Sequence, residues 1–389
     1  MAEHGKDNVA GTVYHATFIH SIALDTLQYL HNTSVFVDPS GTIVAVERDL
    51  DLDTTIAKVL PKLGWQSSNL AIEKIPDGQF FFPGFIDTHL HASQYPNVGL
   101  FGKSTLLDWL NTYTFPLEAS LSDPLKARRV YARCVRKTLS HGTTTAAYYA
   151  TVDVASTNLL ADLCLAAGQR ALVGRVCMDE RGMCPDWYRD GSAREGVDRA
   201  RESAEYIARV DAGRGLVRAV VTPRFAPSCS PEMLRGLGEL AREKGLHVQT
   251  HISENEGEIG LVREMFPEDE SYAGVYDRFG LLGERTILAH AVHLSEEEVR
   301  LIRERGAKVS HCPCSNSSIT SGEARVRWLM DSGVTCGLGT DMSGGYSPSV
   351  LEAARQALLV SRHVAMKGEE KAKLSVEEVL YLATRGGAE

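Results

Sequence analysis

Two histidines separated by one residue are the first sign of chemistry in this sequence. His89 and His91 end a short apolar run, and side chains two apart on a β-strand point to the same face, so both imidazoles can reach one ion. Alone, such a pair is more often a surface pair than a ligand pair. His251 and Asp341 end two later apolar runs. Three neutral imidazoles and one carboxylate suit Zn²⁺ or Fe²⁺ and leave room for water, so we predict a catalytic metal site that serves hydrolysis.

Glu254 follows His251 by three residues. A carboxylate beside such a centre can act as a proton shuttle, because it can hold and release a proton next to a reacting water. The alternative interpretation is a solvated glutamate at the start of a helix, and the neighbouring Glu256 and Glu258 make that interpretation reasonable.

These residues need a scaffold that brings distant strand ends together. From residue 80 onward, apolar runs alternate with segments of helical period, such as residues 232–244, which stop at Gly245, and residues 295–305, which open with a capping-box pattern. The predicted strands are residues 80–91, 143–150, 170–176, 217–225, 247–252, 286–291, 307–313 and 335–341. Eight near-continuous apolar strands that alternate with helices predict a parallel (β/α)₈ barrel (TIM-like, α/β class), whose functional residues lie at the carboxyl ends of the strands. A doubly wound sheet is the alternative, but no Gly-rich phosphate loop follows the first strand.

The first 79 residues have a different pattern. Short β-type runs at residues 34–38 and 42–47 flank the turn-like Pro39, Ser40 and Gly41. We therefore predict two domains: a small β-rich unit at residues 1–79 and the barrel at residues 80–389.

Composition and charge exclude several classes of protein. The net charge is −9, from 41 basic and 50 acidic residues, and no basic run is present, which argues against nucleic acid as a partner. No apolar stretch is long enough to span a bilayer, and the first 20 residues do not have the pattern of a secretory signal. The eight cysteines have no short-spaced framework, which predicts free thiols and a cytoplasmic location.

Several motifs resemble one enzyme family. Residues 83–91 (PGFIDTHLH) resemble the opening barrel strand of the amidohydrolase superfamily, and residues 92–95 (ASQY) resemble its guanine deaminase branch. Four further matches occur in the family's order: residues 222–225, 251–255, 311–313 with 315–316, and 337–341, the last followed by residues 344–347, whereas Cys314 departs from the family's pattern. The resemblance runs from about residue 80 to the end of the sequence.

The resemblance implies a metal-dependent hydrolysis of guanine to xanthine and ammonia. It implies one Zn²⁺ per chain, with Fe²⁺ as the alternative, and the ligands are His89, His91, His251 and Asp341. The catalytic residues it implies are Asp341, which accepts a proton from the attacking water, Glu254, which protonates a ring nitrogen and then the departing amine, and His290, which stabilises the oxygen on the reacting carbon. For His290, a packed histidine at a strand end is the alternative.

The substrate pocket that the resemblance implies contains His91, Gln94, Arg224, Phe225, His251, Glu254 and Asp341, with His311 as a further lining residue. The side-chain chemistry agrees, since Phe225 offers a stacking face for a flat heterocycle. Arg224 offers donors, and Gln94 offers both a donor and an acceptor. The alternatives are a salt bridge at the rim for Arg224 and ordinary core packing for Phe225.

Three hypotheses follow. The first is a guanine deaminase whose partners are guanine, water and a second copy of the chain in a homodimer. The second is a related amidohydrolase that deaminates another amino-substituted ring, such as a different purine, a pterin or a triazine. The third is a truncated, non-catalytic barrel, because members of the family continue with strands that complete the small β unit. On that ground we expect the unit at residues 1–79 to be incomplete, with unpaired edges.

Overall fold

The computed structural model describes residues 10–76, 78–100 and 106–389. Contacts divide the chain into two units, Met1–Pro83 and Gly84–Glu389. Among the described helices, none is long and apolar enough to cross a bilayer. All eight cysteines are free and buried.

The first unit is a five-stranded sheet with one helix. Its elements are β1 (Gly11–Ala23), β2 (Thr26–Val37), β3 (Ile43–Glu47), α1 (Leu52–Leu63), β4 (Leu70–Lys74) and β5 (Phe80–Phe81). The strand order is β3-β2-β1-β4, and β5 also pairs with β1. Helix α1 packs its apolar face on the sheet, where Val13, Phe36, Val59 and Leu60 form a small core. The β-rich character predicted for this segment is confirmed, whereas its incompleteness stays a prediction.

The second unit is built on a parallel sheet. Its strands are β6 (Phe85–His91), β7 (Thr143–Tyr149), β8 (Arg170–Gly174), β9 (Val176–Cys177), β10 (Val217–Pro223), β11 (His247–Ile252), β12 (Thr286–His290), β13 (Lys308–His311) and β14 (Cys336–Leu338). The order is β14-β13-β12-β11-β10-β8-β7-β6, with β9 beside β10. Asp341 N–H donates to the His89 carbonyl at 2.8 Å and His91 N–H to the Met342 carbonyl at 2.8 Å, so the two edges of the sheet meet. The predicted (β/α)₈ barrel is confirmed.

Helices separate the strands along the sequence. They are α2 (Leu106–Trp109), α3 (Phe115–Ala119), α4 (Pro124–Ser140), α5 (Val154–Ala167), α6 (Ala193–Asp211), α7 (Pro231–Lys244), α8 (Glu256–Met265), α9 (Tyr272–Arg278), α10 (Glu296–Arg305), α11 (Pro313–Ser318), α12 (Val326–Asp331), α13 (Val350–Met366) and α14 (Val376–Leu382). The predicted C-terminal end of α7 and the predicted N-terminal capping box of α10 are confirmed. Gly245 ends α7 at φ 62°, and Ser295 and Glu298 form the capping box of α10.

Several predicted strands are too long, and the first differs most in extent. The first barrel strand begins at Phe85, not at Phe80, because Phe80 and Phe81 pair with Thr17 and Phe18 of β1 in the other sheet. Pro83 and Gly84 lie between the two strands. Proline has no N–H to donate to a ladder, which ends the pairing there.

A buried ion pair fixes the long loop between β9 and α6. Arg175 and Asp190 form a salt bridge in which both side chains are at most 1% exposed. Asp190 also accepts a hydrogen bond from Met178 N–H at 3.2 Å, and Arg175 donates to the Gly196 carbonyl at 3.3 Å. The pair therefore ties the loop to the end of β8 and to the start of α6.

Removing one partner of this pair leaves a buried charge without compensation. We expect Asp190→Ala to lower the free energy of unfolding by about 3–5 kcal/mol, measured by urea denaturation. Asp186→Ala is the control, because Asp186 is 84% exposed in its salt bridge with Arg189 and its loss should leave the midpoint unchanged. Equal midpoints for the two variants would contradict the structural role of Asp190.

Candidate metal centre and substrate pocket

Four side chains converge at the carboxyl ends of the barrel strands. His89 and His91 come from β6, His251 from β11, and Asp341 from the turn after β14. One ligand atom of each lies within 4.8 Å of all the others. Asp341 Oδ1 is 3.1 Å from His89 Nε2 and 3.2 Å from His91 Nε2, and His91 Nε2 is 3.3 Å from His251 Nε2.

The protonation of these imidazoles fits a divalent cation. His251 Nδ1–H donates to the Arg224 carbonyl at 2.6 Å, which leaves a lone pair on Nε2. Burial lowers the pKa of His89 to about 4 and that of His251 well below its usual value. Among the described residues, no group makes a hydrogen bond of good geometry with either ring nitrogen of His89. Lone pairs that face one another in a buried place need a cation between them, so the four residues suit a metal ion.

Asp341 is suited to the same ion. Burial raises the pKa of its carboxyl, but contacts with His89 and His91 outweigh that effect and hold the pKa well below 3.8. The group is therefore a carboxylate at neutral pH.

A second set of possible ligand atoms uses the thiol of Cys312. Cys312, His89 and His290 also have ligand atoms within 4.8 Å of one another. This set offers three ligand atoms, whereas the set of His89, His91, His251 and Asp341 offers four, the usual number for Zn²⁺. The set of three histidines and one aspartate is therefore the better candidate.

Asp87 connects the two strand ends that carry the ligands, and sequence reasoning missed it. Its carboxylate accepts hydrogen bonds from Thr340 N–H at 2.9 Å, Thr340 Oγ1 at 2.6 Å and His89 N–H at 3.3 Å. Burial raises the pKa of Asp87 to about 7. The signal was present in the sequence, since an acid two residues before a ligand is out of place in an apolar strand unless it has buried partners.

The hydroxyl of Thr340 should therefore matter for stability. We expect Thr340→Val to lower the free energy of unfolding by about 1–3 kcal/mol, because the buried Asp87 carboxyl loses a donor. Thr340→Ser keeps the hydroxyl and removes one buried methyl group, so it should cost only about 0.8 kcal/mol, less than the valine variant, in the same urea titration. If the valine and serine variants unfold at the same midpoint, the hydrogen bond to Asp87 is unimportant.

Glu254 and His290 lie beside the four ligands. Glu254 Oε2 is 3.5 Å from His290 Nε2, and His290 Nε2 is 3.9 Å from Asp341 Oδ2. His290 Nδ1–H donates to Asn316 Oδ1 at 2.8 Å, which turns Nε2 towards the two carboxylates. Burial raises the pKa of Glu254 to about 7. Burial lowers the pKa of His290, but Glu254 and Asp341 outweigh that effect and raise it above 6.5.

Glu254 and Glu258 are buried, whereas Glu256 between them is exposed. Glu254 is 3% exposed, so it is not the solvated glutamate of the alternative interpretation. Glu258 contacts the backbone of Glu254 and helps to hold it at the strand end. It is the third residue of α8, and its carboxylate accepts the Glu254 N–H at 3.0 Å within the capping box of Asn255.

The backbone at these strand ends is unusual. Ser253, His290, Ala291 and Asp341 have φ values of 47°, 74°, 50° and 44°, in the left-handed region that non-glycine residues rarely adopt. Such conformations cost energy and persist where the surrounding structure imposes them. Their grouping at the ends of β11, β12 and β14 marks this rim as a functional site.

One pocket contains most of the predicted residues. It is lined by His91, Gln94, Arg224, Phe225, His251, Glu254, His290 and Asp341. His89, which is buried, is not among the lining residues. Trp109 and Leu110, which the sequence did not suggest, also line the pocket, and Leu110 begins a π-helical turn between α2 and α3.

One predicted detail, and the alternative interpretation of Arg224 as a rim salt bridge, differ from the structure. His311, expected in the pocket, borders a separate small cavity beside Val326 and Ala357. Burial there lowers the pKa of His311 to about 3. Arg224 does form an ion pair, but with the fully buried Glu118 at 2.7 Å and not with a carboxylate at the rim. Nothing in the sequence distinguished Glu118 from the many exposed glutamates.

Comparison with known proteins gives one consistent answer. The amidohydrolase family matches residues 80–389. A probable guanine deaminase of Schizosaccharomyces pombe is 51% identical over 319 residues, which are 82% of this chain and 60% of the relative, so the chain spans less than two thirds of that protein's length. The guanine deaminase of Dictyostelium discoideum is 39% identical over 98% of this chain and 84% of its own length.

A solved structure agrees with these relatives. The crystal structure of guanine deaminase from C. acetobutylicum, with guanine bound in the active site, superposes with a TM-score of 0.87 at 31% identity. The match covers 97% of this chain and 86% of that one.

Proposed function

Because the chain belongs to the amidohydrolase family, and its relatives lie within the guanine deaminase branch, we propose that it hydrolyses guanine to xanthine and ammonia. The observation that carries the proposal is the composition of the pocket. His91, His251 and Asp341 of the candidate ligand set line the pocket together with the hydrogen-bonding groups of Gln94 and Arg224. Such a pocket can hold a polar, flat ring next to a hydrolytic centre.

We propose one Zn²⁺ per chain, held by His89, His91, His251 and Asp341, with Fe²⁺ as the alternative ion. The donor set and the lowered pKa values of His89 and His251 support this assignment. When bound, such an ion acts as a Lewis acid and lowers the pKa of water from about 15.7 towards about 7.

Proton transfer in the proposed reaction uses Asp341 and Glu254. Water adds to the ring carbon that bears the exocyclic amine, and the carboxylate of Asp341 accepts the proton that the water releases. Glu254 gives its proton to a ring nitrogen, then takes the remaining proton of the added hydroxyl and gives it to the departing amine. The C–N bond breaks, ammonia leaves as the C=O bond forms, and the proton held by Asp341 returns to Glu254 to reset the site. A carboxyl whose pKa is about 7 suits both roles, because it exchanges protons readily at neutral pH.

His290 and the pocket walls orient the substrate in this proposal. The raised pKa of His290 favours a charged ring, which would stabilise negative charge on the oxygen that adds to the ring carbon. Phe225 provides an apolar face for the purine, and Arg224 and Gln94 provide hydrogen bonds to its edge. A ring whose edge carries donors and acceptors in the opposite order would leave Arg224 and Gln94 unpaired, which disfavours its binding strongly.

The test is an assay of ammonia release across guanine, adenine, cytosine and isoguanine, with xanthine followed separately. We expect guanine to give xanthine and ammonia in equal amounts and to be turned over far faster than the other three. Ammonia from another ring without xanthine from guanine would favour a different amidohydrolase. No ammonia from any of the four would favour a non-catalytic barrel.

We also propose that the protein is a cytoplasmic homodimer whose other partners are only guanine and water. The eight free, buried thiols support a reducing compartment, and the negative charge disfavours nucleic acid. The homodimer rests on the resemblance to the family. Sedimentation equilibrium should give twice the chain mass of 42.5 kDa, and a value equal to one chain would contradict it.

A further inference from the structure

Glu118 lies at the centre of a buried hydrogen-bond network beside the pocket. The residue belongs to the short helix α3 and its side chain is fully buried. Its Oε2 accepts from Arg224 Nη1 at 2.7 Å and from the Tyr188 hydroxyl at 2.7 Å. Its Oε1 accepts from Gln94 Nε2 at 2.9 Å, and more weakly from Ser93 Oγ and Arg224 Nη2, both at 3.3 Å. Every partner is a donor, which is the arrangement that an ionised carboxylate requires.

The charge state of Glu118 agrees with this geometry. Burial raises the pKa of its carboxyl, but the Arg224 guanidinium outweighs that effect and holds the pKa below 4.5. A buried carboxylate and a buried guanidinium stabilise each other only when their remaining hydrogen bonds are satisfied. Here Tyr188, Gln94 and Ser93 supply those hydrogen bonds.

The carboxylate decides which way the amide of Gln94 points. An ionised carboxylate has no proton to donate, so the Gln94 atom that contacts Glu118 must be the nitrogen. The amide oxygen then points away from Glu118, where it accepts from Ser343 Oγ at 3.3 Å and keeps a second lone pair for a ligand. A neutral amide at position 118 would remove this constraint, because it could donate to Gln94 Oε1 and let the Gln94 amide reverse.

Glu118 also limits what Arg224 can offer. Two of the guanidinium N–H groups are used by the carboxylate, and the group lies 5.3 Å from the centre of the Phe115 ring. Its remaining N–H groups are available to an acceptor in the pocket, which both Arg224 and Gln94 line. The pocket therefore presents an acceptor from Gln94 together with a donor from Arg224.

We propose that Glu118 is the positioning residue that sets the ligand preference of this pocket: it fixes the Gln94 amide oxygen and the Arg224 guanidinium so that the pocket takes rings with a lactam edge, N–H beside C=O, over rings with an amidine edge. The inference rests on the proposed function for the choice of purines as ligands. Glu118 acts through Gln94 and Arg224 and has no contact with the reacting atoms in this proposal.

The test measures equilibrium binding by calorimetry and needs no turnover. Hypoxanthine has the lactam edge and adenine the amidine edge, and neither carries an amine at the carbon where guanine carries its own. We expect the parent protein to bind hypoxanthine more tightly than adenine. We call the dissociation constant of adenine divided by that of hypoxanthine the binding ratio. In Glu118→Gln this ratio should fall by about 10-fold or more, since a reversed Gln94 amide presents a donor where the parent protein presents an acceptor.

Two further variants make the test specific. Glu118→Asp keeps the charge beside Arg224 but draws the carboxylate back from Gln94, so its ratio should also fall while the protein stays folded. Glu298→Gln is the matched control, because Glu298 is a buried glutamate in the capping box of α10, away from the pocket. Its ratio should stay within about twofold of the parent value, because a glutamine can replace the glutamate of a capping box.

The result that overturns the inference is a parent-like ratio in folded Glu118→Gln or Glu118→Asp, or a parent protein that binds adenine as tightly as hypoxanthine. Failure of the proposed function is seen separately, as the absence of xanthine from guanine in the parent protein. A protein that shows the predicted binding ratios without forming xanthine would keep the role of Glu118 and contradict the activity.

Discussion

Replacement of Glu254 with glutamine should lower kcat for guanine by about 10³-fold while the protein keeps about one metal ion per chain. Glutamine has nearly the same shape but cannot carry a proton between water, ring nitrogen and leaving amine. The four ligand residues do not include Glu254, so the metal content should not change. The measurement is steady-state formation of xanthine together with metal analysis of the same sample.

The environment of Glu254 makes this variant informative. Its carboxyl is 3.5 Å from His290 Nε2 and accepts a hydrogen bond from Ser321 Oγ at 3.2 Å, and glutamine can keep the contact with Ser321 through its amide oxygen. Glu256→Gln, two residues further on and exposed, should retain full activity. A Glu254→Gln variant with full activity would refute the proton shuttle, and a variant that also loses the metal would move Glu254 into the ligand set.

Removal of the metal should lower the rate of xanthine formation by at least the factor expected for Glu254→Gln. A bound ion is worth several kcal/mol of stabilisation of the transition state, so dialysis against a chelator should reduce the rate on the order of 10⁴-fold. Zn²⁺ should restore it. The melting temperature should rise with added Zn²⁺, because an ion that binds only the folded protein stabilises it.

The variant that distinguishes the proposed site from an incidental one is His251→Ala. His251 Nε2 faces His91 Nε2 at 3.3 Å, so its loss removes one of four ligands. Zn²⁺ at concentrations that restore the parent protein should restore neither its activity nor its melting temperature. Full activity after exhaustive chelation, or a His251→Ala variant that regains activity with Zn²⁺, would contradict the metal assignment.

The sequence predicted the barrel and the convergence of four candidate metal ligands because both depend on short-range regularities. Strand and helix periodicity identified eight parallel strands, and a parallel barrel places all its carboxyl strand ends at one rim. His89, His91, His251 and Asp341 each end or follow an apolar run, so their convergence follows from the topology. The start of the first strand was wrong because Phe80 and Phe81 look like barrel residues until their partners in β1 are known.

Other parts of the site depend on contacts that no local pattern encodes. Glu118 meets Arg224 across 106 positions of sequence, and a glutamate on a short helix looks like a solvated side chain. Trp109 and Leu110 line the pocket at the junction of α2 and a π-helical turn, which has no sequence signature in this chain. His311 was misplaced because it lies at a strand end, yet its side chain borders a different cavity.

The most direct test of the account is a titration of metal-free protein with Zn²⁺ in the presence of guanine. We predict that the rate of xanthine formation rises linearly from near zero and reaches its plateau at one equivalent of Zn²⁺ per chain. Xanthine formed at full rate before any metal is added, or one bound equivalent of Zn²⁺ with no xanthine, would contradict it.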